Sequence, residues 1–403
     1  MFFLEYYDHF FLPLGLAVGL FGVLMILFRS FWRVGTYRPR EIEEGMSFPP
    51  HVPKASVIVY TSFDDEAELL EYLDNLTAQD YPDFEVIVVC ESTAGGVESI
   101  TEQCSSRYNN VYITFIPPGS HNVSRRKLAL TLGMKAAKGD VVVTTVSNAI
   151  PSSSRWLSTL LYPFYAPEEA EARKAGAGDV EVALGYTHPD YHEMGGLGRW
   201  YREFVTLISD VTWISSALGR HPYRGDGYNL AFRRDLFFRH KGYAGSVYLH
   251  SGDDDIFINE VATPQNTRMV LHPESILTIY WGDASRRMWT LRKEQYAFTS
   301  RWLPRKPFRR EGALSLCQWL MPIFCAAAIL LALTHPYMWI APIALLLIFW
   351  NCEILLYRKA ATTLQATRLW WAVPIFWLLK PILNFFFRLR HYRHRRKNFT
   401  WQR

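Results

Sequence analysis

Three long apolar runs dominate the ends of this sequence: Phe10 to Phe28, Ala313 to Thr334 and Tyr337 to Tyr357, with Glu353 in the third as their one charged residue. A helix needs about 20 consecutive apolar residues to cross the hydrocarbon core of a bilayer, and each run has that length. Helices buried inside a soluble domain are rarely this long with so little charge. The first run has no basic stretch before it and no small-residue cleavage site after it, so it is read as a retained anchor and not as a signal peptide. Glu5 and Asp8 precede this run, and Arg29, Arg33, Arg38 and Arg40 follow it. The preference of Lys and Arg for the cytoplasmic side then places residue 1 outside and the centre of the chain in the cytoplasm. The link at His335-Pro336 has no basic residue, while Arg358, Lys359 and Arg368 follow the third run, so these two runs read as a helical hairpin with its turn outside.

A fourth run, Leu369 to Phe387, is interrupted by Lys380-Pro381 and has basic residues on both sides. A full span would carry the basic tail outside, so the sequence favours a helix lying in the interface, with a full span as the alternative. No acidic residue occurs from Lys380 to Arg403, although the whole chain carries a net charge of only +5. A basic cluster beside an apolar segment fits anionic membrane lipids and not nucleic acid. The five cysteines have neither CxxC nor metal-site spacing, as expected in a reducing cytoplasm.

From Lys54 the pattern changes. Short continuous apolar segments alternate with stretches of helical period: Ser56 to Tyr60, Phe84 to Val89, Val111 to Ile116 and Val141 to Val146 read as strands, with leucines at 69, 70, 73 and 76 and the segment Arg125 to Ala137 as helices between them. Repeated strand–helix–strand units with fully apolar strands predict an α/β domain with a mostly parallel, Rossmann-like sheet. Such sheets bind ligands at the carboxyl ends of their strands, which brings Tyr60-Thr61-Ser62, Cys90-Glu91-Ser92 and Ser147-Asn148-Ala149 to one crevice. The expected organisation is an anchor over 1–33, a catalytic domain over 54–302, a hairpin over 313–357 and an interfacial or membrane helix with a basic tail over 369–403.

The order of several pieces resembles the family 2 glycosyltransferases of the GT-A fold. These pieces are Ser56-Val57-Ile58-Val59, the acidic Asp64-Asp65-Glu66, Ala78-Gln79-Asp80-Tyr81-Pro82, Arg126-Lys127-Leu128-Ala129-Leu130, Gly139-Asp140, Gly225-Asp226-Gly227-Tyr228-Asn229 and Gly252-Asp253-Asp254-Asp255. The resemblance covers about residues 54 to 300. It implies a nucleotide-sugar donor held by Thr61, Asp64, Glu91, Lys127 and Asn148, and a lipid-linked or glycan acceptor near Gly227 and Asn229. It also implies a general base in the acidic triplet. Asp254 is the choice for that base, flanked by Asp253 and Asp255, since an acceptor hydroxyl must lose its proton and neighbouring carboxylates raise one another's pKa.

The chain departs from the family at the metal motif. Where Asp-x-Asp is usual, Val146-Ser147-Asn148 stands, so Asn148 offers one metal oxygen, with the acidic triplet as a further source, and any Mg²⁺ or Mn²⁺ is weakly held. Cationic side chains then become candidates for neutralising the diphosphate. The family's Gln-x-x-Arg-Trp segment is reduced to Arg301-Trp302, and a second register offers Arg292, Lys293 and Gln295-Tyr296. The expected activity is inverting transfer at the inner, cytoplasmic membrane. A catalytically silent binding or regulatory subunit is the alternative.

Overall fold

A computed structural model of the chain describes residues 2–39, 48–61, 66–91, 97–117, 124–176, 178–333, 337–366 and 370–391. In chain order its elements begin with α1 (Phe2–Leu27), α2 (Arg29–Gly35), β1 (Ala55–Thr61), α3 (Glu66–Thr77), β2 (Phe84–Glu91), α4 (Val97–Arg107), β3 (Val111–Ile116), α5 (Arg125–Ala136) and β4 (Val141–Val146). There follow β5 (Ala149–Pro151), α6 (Trp156–Tyr165), α7 (Pro167–Lys174), β6 (Val182–Leu184), β7 (Thr187–Asp190), α8 (Gly196–Leu218), β8 (Leu230–Arg233), α9 (Arg234–Arg239) and α10 (Asp255–Val261). The last are β9 (Thr267–Met269), β10 (Leu277–Tyr280), α11 (Ser285–Thr299), α12 (Arg305–Ala332), α13 (Ile340–Thr363) and α14 (Val373–His391). The chain divides into two compact units, one of residues 1–37, 196–215 and 304–392, the other of 38–195, 216–303 and 393–403.

The second unit holds a seven-stranded sheet in the order β3-β2-β1-β4-β8-β6-β9 and a small sheet in the order β5-β10-β7. Strands β3, β2, β1 and β4 are mutually parallel, as their apolar runs predict. Strand β8 runs antiparallel to both β4 and β6, so the sheet is mostly and not wholly parallel. The core lies where helices cover the parallel strands, and Val57, Ile58, Val59 and Val86 to Val89 are buried there. Helix α5 lies so close to β1 that a Cβ on Gly133 would sit 2.5 Å from the Ile58 side chain. The register pairs Thr61 with Cys90 and Tyr60 with Val146, so the carboxyl ends of β1, β2 and β4 share one edge, as a parallel sheet requires.

The first unit is helical. Four of its helices are long and apolar enough to cross a membrane: His9–Leu27, Arg305–Ala332, Ile340–Thr363 and Trp370–Phe387. Helix α1 packs along α12, with Phe10 against Ala328 and Ala332, where small side chains let the helices approach closely. At the other end of this pair, Arg310 donates to the last carbonyls of α1, reaching the Leu27 oxygen at 2.8 Å. Polar side chains inside the bundle meet partners: Gln318 donates to Glu353 at 2.8 Å, and Lys380 pairs with Glu311 at 2.6 Å. Pro381 lies within α14 and does not end it. What the sequence reading took as a break is therefore continuous helix, and Lys380 is buried by its ion pair.

Helix α8 was not foreseen as part of this unit. The expected catalytic span, 54–302, runs straight through it, yet Gly196–Ser215 belongs with the terminal helices. Phe204 packs on Tyr357, Phe376 and Trp377 at ring distances of 5.8, 5.4 and 5.5 Å, and Arg33 donates to the Ser215 carbonyl at 2.7 Å.

Candidate active site

Two groups of residues gather in the sheet-containing unit. The first lies at the carboxyl edge of the parallel strands. Ser147, just past β4, donates to the Thr61 hydroxyl at 3.0 Å. Glu91, the last residue of β2, accepts a hydrogen bond from the Tyr60 hydroxyl at 2.6 Å and pairs with Arg125 at 2.9 Å. Asn148 is clamped to β10: its side-chain amide donates to the Tyr280 carbonyl at 2.8 Å, and its own carbonyl accepts from the Tyr280 amide. Asp64, expected beside Thr61, lies outside the described residues.

The second group surrounds the acidic triplet. A cleft of about 80 Å³ is lined by the three aspartates, by Arg126 and Tyr228, and by one face of α11. That face carries Arg292, Gln295, Tyr296 and Thr299, which follow one another at helical spacing. The volume is well below the roughly 300 Å³ at which clefts begin to enclose a whole ligand, so this cleft admits one end of a substrate.

The three aspartates differ. Asp253 is buried and pairs with Arg126 at 2.9 Å. Burial pushes its pKa up, opposed by the Arg126 charge, while Asp254 adds to the rise. Asp255 is also buried and accepts a hydrogen bond from the Thr299 hydroxyl. Burial, and then the neighbouring Asp254, push its pKa up to about 7. Asp254 alone is half-buried, with one oxygen accepting from the Asp255 amide at 2.8 Å and the other facing the Gly227 amide at 3.4 Å.

Gly227 is shaped for this place. A Cβ there would sit 2.7 Å from the Arg126 guanidinium and 2.8 Å from the Asp254 Cβ, so no side chain fits. The loop is fixed from beneath, where Thr144 of β4 donates to the Gly227 carbonyl at 3.0 Å. Asp226 accepts from the Thr187 amide and faces Arg292 at 3.5 Å. Guanidinium and phenol groups alternate through the cleft wall. Arg126 lies 4.5 Å and Arg292 5.4 Å from the centre of the Tyr228 ring, and Arg224 lies 3.3 Å from that of Tyr296.

The structure brings Asp253, Asp254, Asp255 and Arg292 into this one cleft, with Gly227 against Asp254. Other expected residues fall elsewhere. Lys127 is buried, and its ammonium donates to the Ser246 carbonyl and hydroxyl and to the Leu249 carbonyl. Burial lowers its pKa. It therefore holds the loop before the triplet. Asn229 is also buried, bonding the Tyr186 and Ser275 carbonyls and the Trp156 indole. Arg301 and Trp302 lie against Phe298, and Lys293 lies over Trp289. The register beginning at Arg292 thus lines the cleft, and the Arg301-Trp302 register does not. Sequence reasoning missed Arg126, Tyr228 and Thr299 as site residues. The α11 face was open to inference from spacing. The pairing of Arg126 with Asp253 spans 127 positions and has no local signal.

A model of the glycosyltransferase-like family 2 matches residues 53–280, more than half of the chain and most of the sheet-containing unit. The chain belongs to this family. It is a glycosyltransferase of mixed α/β, GT-A type. Among solved structures it is similar to the mannosyltransferase PcManGT from Pyrobaculum calidifontis, determined with GDP-Man and Mn²⁺: 19% identity, TM-score 0.50, with 92% of this chain and 99% of that one covered. It also matches residues 1–349 of TarS from S. aureus, determined with UDP-GlcNAc, at 16% identity and a TM-score of 0.38 over 72% of this chain and 89% of that one. No curated protein matches the sequence. The likeness to PcManGT extends to the fold.

The fold family implies a divalent cation, and among the described residues the donor atoms at the edge of β4 do not fit one. The edge of β4 offers a serine hydroxyl already bonded to Thr61 and a neutral amide clamped to β10. Hard divalent cations take carboxylate-rich oxygen sets. Among the described residues, no three His, Cys, Asp or Glu side chains converge to hold an ion.

Proposed function

We propose that this glycosyltransferase is an inverting, membrane-bound enzyme that moves a sugar from a nucleotide-sugar donor to a lipid-linked or glycan acceptor, with Asp254 as general base. The observation that carries this reading is the difference among the three aspartates. Asp253 and Asp255 are engaged by Arg126 and Thr299, while Asp254 is the half-buried member facing the cleft. In this reading the acceptor oxygen attacks the anomeric carbon opposite the diphosphate, and Asp254 takes its proton. The donor lies along the strand edge at Thr61 and Glu91, beside the cleft, since Arg125 reaches Glu91 and the adjacent Arg126 reaches Asp253. The leaving diphosphate is neutralised by cationic side chains of α11, foremost Arg292, in place of a tightly held metal. GDP-Man and UDP-GlcNAc are the donors seen with the structural neighbours, and both are the first to test here.

The membrane part of the proposal rests on four apolar helices and on the placement of Arg and Lys around them. It puts the sheet-containing unit in the cytoplasm, with α14 in the interface. A second reading, a silent binding subunit, is favoured by the clamped Asn148. Release of nucleoside diphosphate from each donor, measured with purified protein in detergent with and without EDTA, separates the two. Turnover lost in Asp254→Asn supports the enzyme; donor binding without turnover under any condition supports the silent subunit.

A further inference from the structure

We infer that the groove between α12 and α14 binds one anionic phospholipid, with an acyl chain along the groove and the phosphate at Arg305 and Arg309. The groove lies wholly within the helical unit, and its occupant rests on the membrane-bound reading above. Its volume is about 690 Å³, inside the range of about 300–1,000 Å³ usual for ligand clefts. Gly312, Leu316 and Trp319 of α12 form one wall, and Ile382, Phe385 and Phe386 of α14 form the other. Leu316, Ile382, Phe385 and Phe386 are all exposed. A contiguous exposed apolar surface of this kind marks a membrane or ligand contact. Two ties hold the walls in place. Lys380 pairs with Glu311 at 2.6 Å, and the Trp319 indole donates to the Leu378 carbonyl at 3.1 Å.

Charge and length select the occupant. Arg305, Arg309, Gly312, Leu316 and Trp319 follow one another at alternating steps of four and three, so they form one stripe along α12. The later part of the stripe lines the groove, and its first turns carry the two arginines, both exposed. Among the described residues neither arginine meets a carboxylate, and Glu311, the nearest acid in sequence, is engaged by Lys380. Two uncompensated cations at the head of an apolar furrow match a lipid whose head is anionic and whose tail is not. At about 1.5 Å per residue, the stripe from Arg309 to Trp319 runs about 15 Å. That is one leaflet's share of a hydrocarbon core about 30 Å thick. An acyl chain fits this depth, whereas a polyisoprenoid carrier outruns it. The arginines also stand at the end of α12 that the distribution of Arg and Lys assigns to the cytoplasmic leaflet, which is the anionic one. A second copy of the chain docked by the same face would bring two further arginines to the same end.

Gly312 makes the test clean. A Cβ there would meet nothing within 4 Å, so a side chain added at this position enters the furrow without a clash and changes no charge. The full chain, purified in mild detergent, is offered phosphatidylglycerol and phosphatidylcholine with identical acyl chains, and native mass spectrometry counts the lipid retained. One phosphatidylglycerol per chain, held in preference to phosphatidylcholine, is the expected result. Arg305→Gln combined with Arg309→Gln should weaken phosphatidylglycerol binding about thirtyfold and leave phosphatidylcholine unchanged. Gly312→Leu, with a wild-type circular dichroism spectrum, should retain no lipid. Equal retention of the two lipids by wild type would overturn the phosphate assignment. Undiminished phosphatidylglycerol on Gly312→Leu would place the lipid outside the furrow and overturn the proposal. So would a polyprenyl phosphate that displaces phosphatidylglycerol one for one, or a dimer mass that disappears in Gly312→Leu. Release of the chain from membranes by alkaline carbonate without detergent would instead sink the membrane-bound reading itself.

Discussion

Asp253, Asp254 and Asp255 are consecutive in sequence and occupy three electrostatic settings, which is why substitutions of like chemistry should differ among them. Asp254→Asn should lower transfer by about 10²–10⁴-fold with donor binding nearly unchanged, since a base acts on the chemical step. Turnover and donor titration on the same preparation check this, and near-normal turnover would remove Asp254 from its role. Asp255 has its effect on stability. Its native pKa, about 7, lies above the usual carboxylate value near 4, so between these values the folded state binds more protons than the unfolded state. Stability therefore falls as pH rises through that window, and the loss is complete above 7. Asp255→Asn should gain thermal stability over wild type from pH 5 to 7, followed as the melting temperature in detergent; a constant difference across this range would contradict the buried, protonated carboxyl. For the diphosphate, Arg292→Ala should cost more turnover than Asn148→Ala, and part of the activity should persist in EDTA. Complete inactivation by EDTA with an unaffected Arg292→Ala would reassign the acidic triplet to metal binding.

The elements of the sheet-containing unit were legible because their signals are local. Continuous apolar strands and leucines at helical spacing placed β1 to β4 and α5 within one or two residues of their bounds. The antiparallel β8 was not legible, since four residues carry no period that distinguishes direction. Nor were Lys127 and Asn229, which match the family's motif in sequence but point into packed interior. Among the helices, length and apolarity were plain, whereas polar pairing across them was not. Gln318 and Glu353 lie 35 positions apart on α12 and α13. Gln318→Leu should destabilise the bundle by about 1–3 kcal/mol, because it removes a buried carboxyl's partner. Resistance to unfolding by SDS measures this, and a Gln318→Leu protein as stable as wild type would show that the pair contributes nothing.

At the scale of the whole chain, the distribution of Arg and Lys predicts that both the sheet-containing unit and the basic tail face the cytoplasm. A cysteine introduced near Arg395, in a variant lacking accessible native cysteines, should resist an impermeant thiol reagent in intact cells and react once the cells are opened. Labelling in intact cells would mean that α14 spans. The helical unit has a further property. It is assembled from three separated stretches, and Pro304 follows Ser215 by 89 positions. On the ribosome, at roughly 5–20 residues per second, α8 is finished about 4–18 s before the first residue of α12 exists. Throughout that interval Phe204 lacks Tyr357, Phe376 and Trp377, all of which are encoded later still. Biosynthesis thus contains a waiting period in which the apolar face of an amphipathic helix must be shielded by something other than its final neighbours, and a fragment cut after residue 302 would remain in that unfinished state permanently.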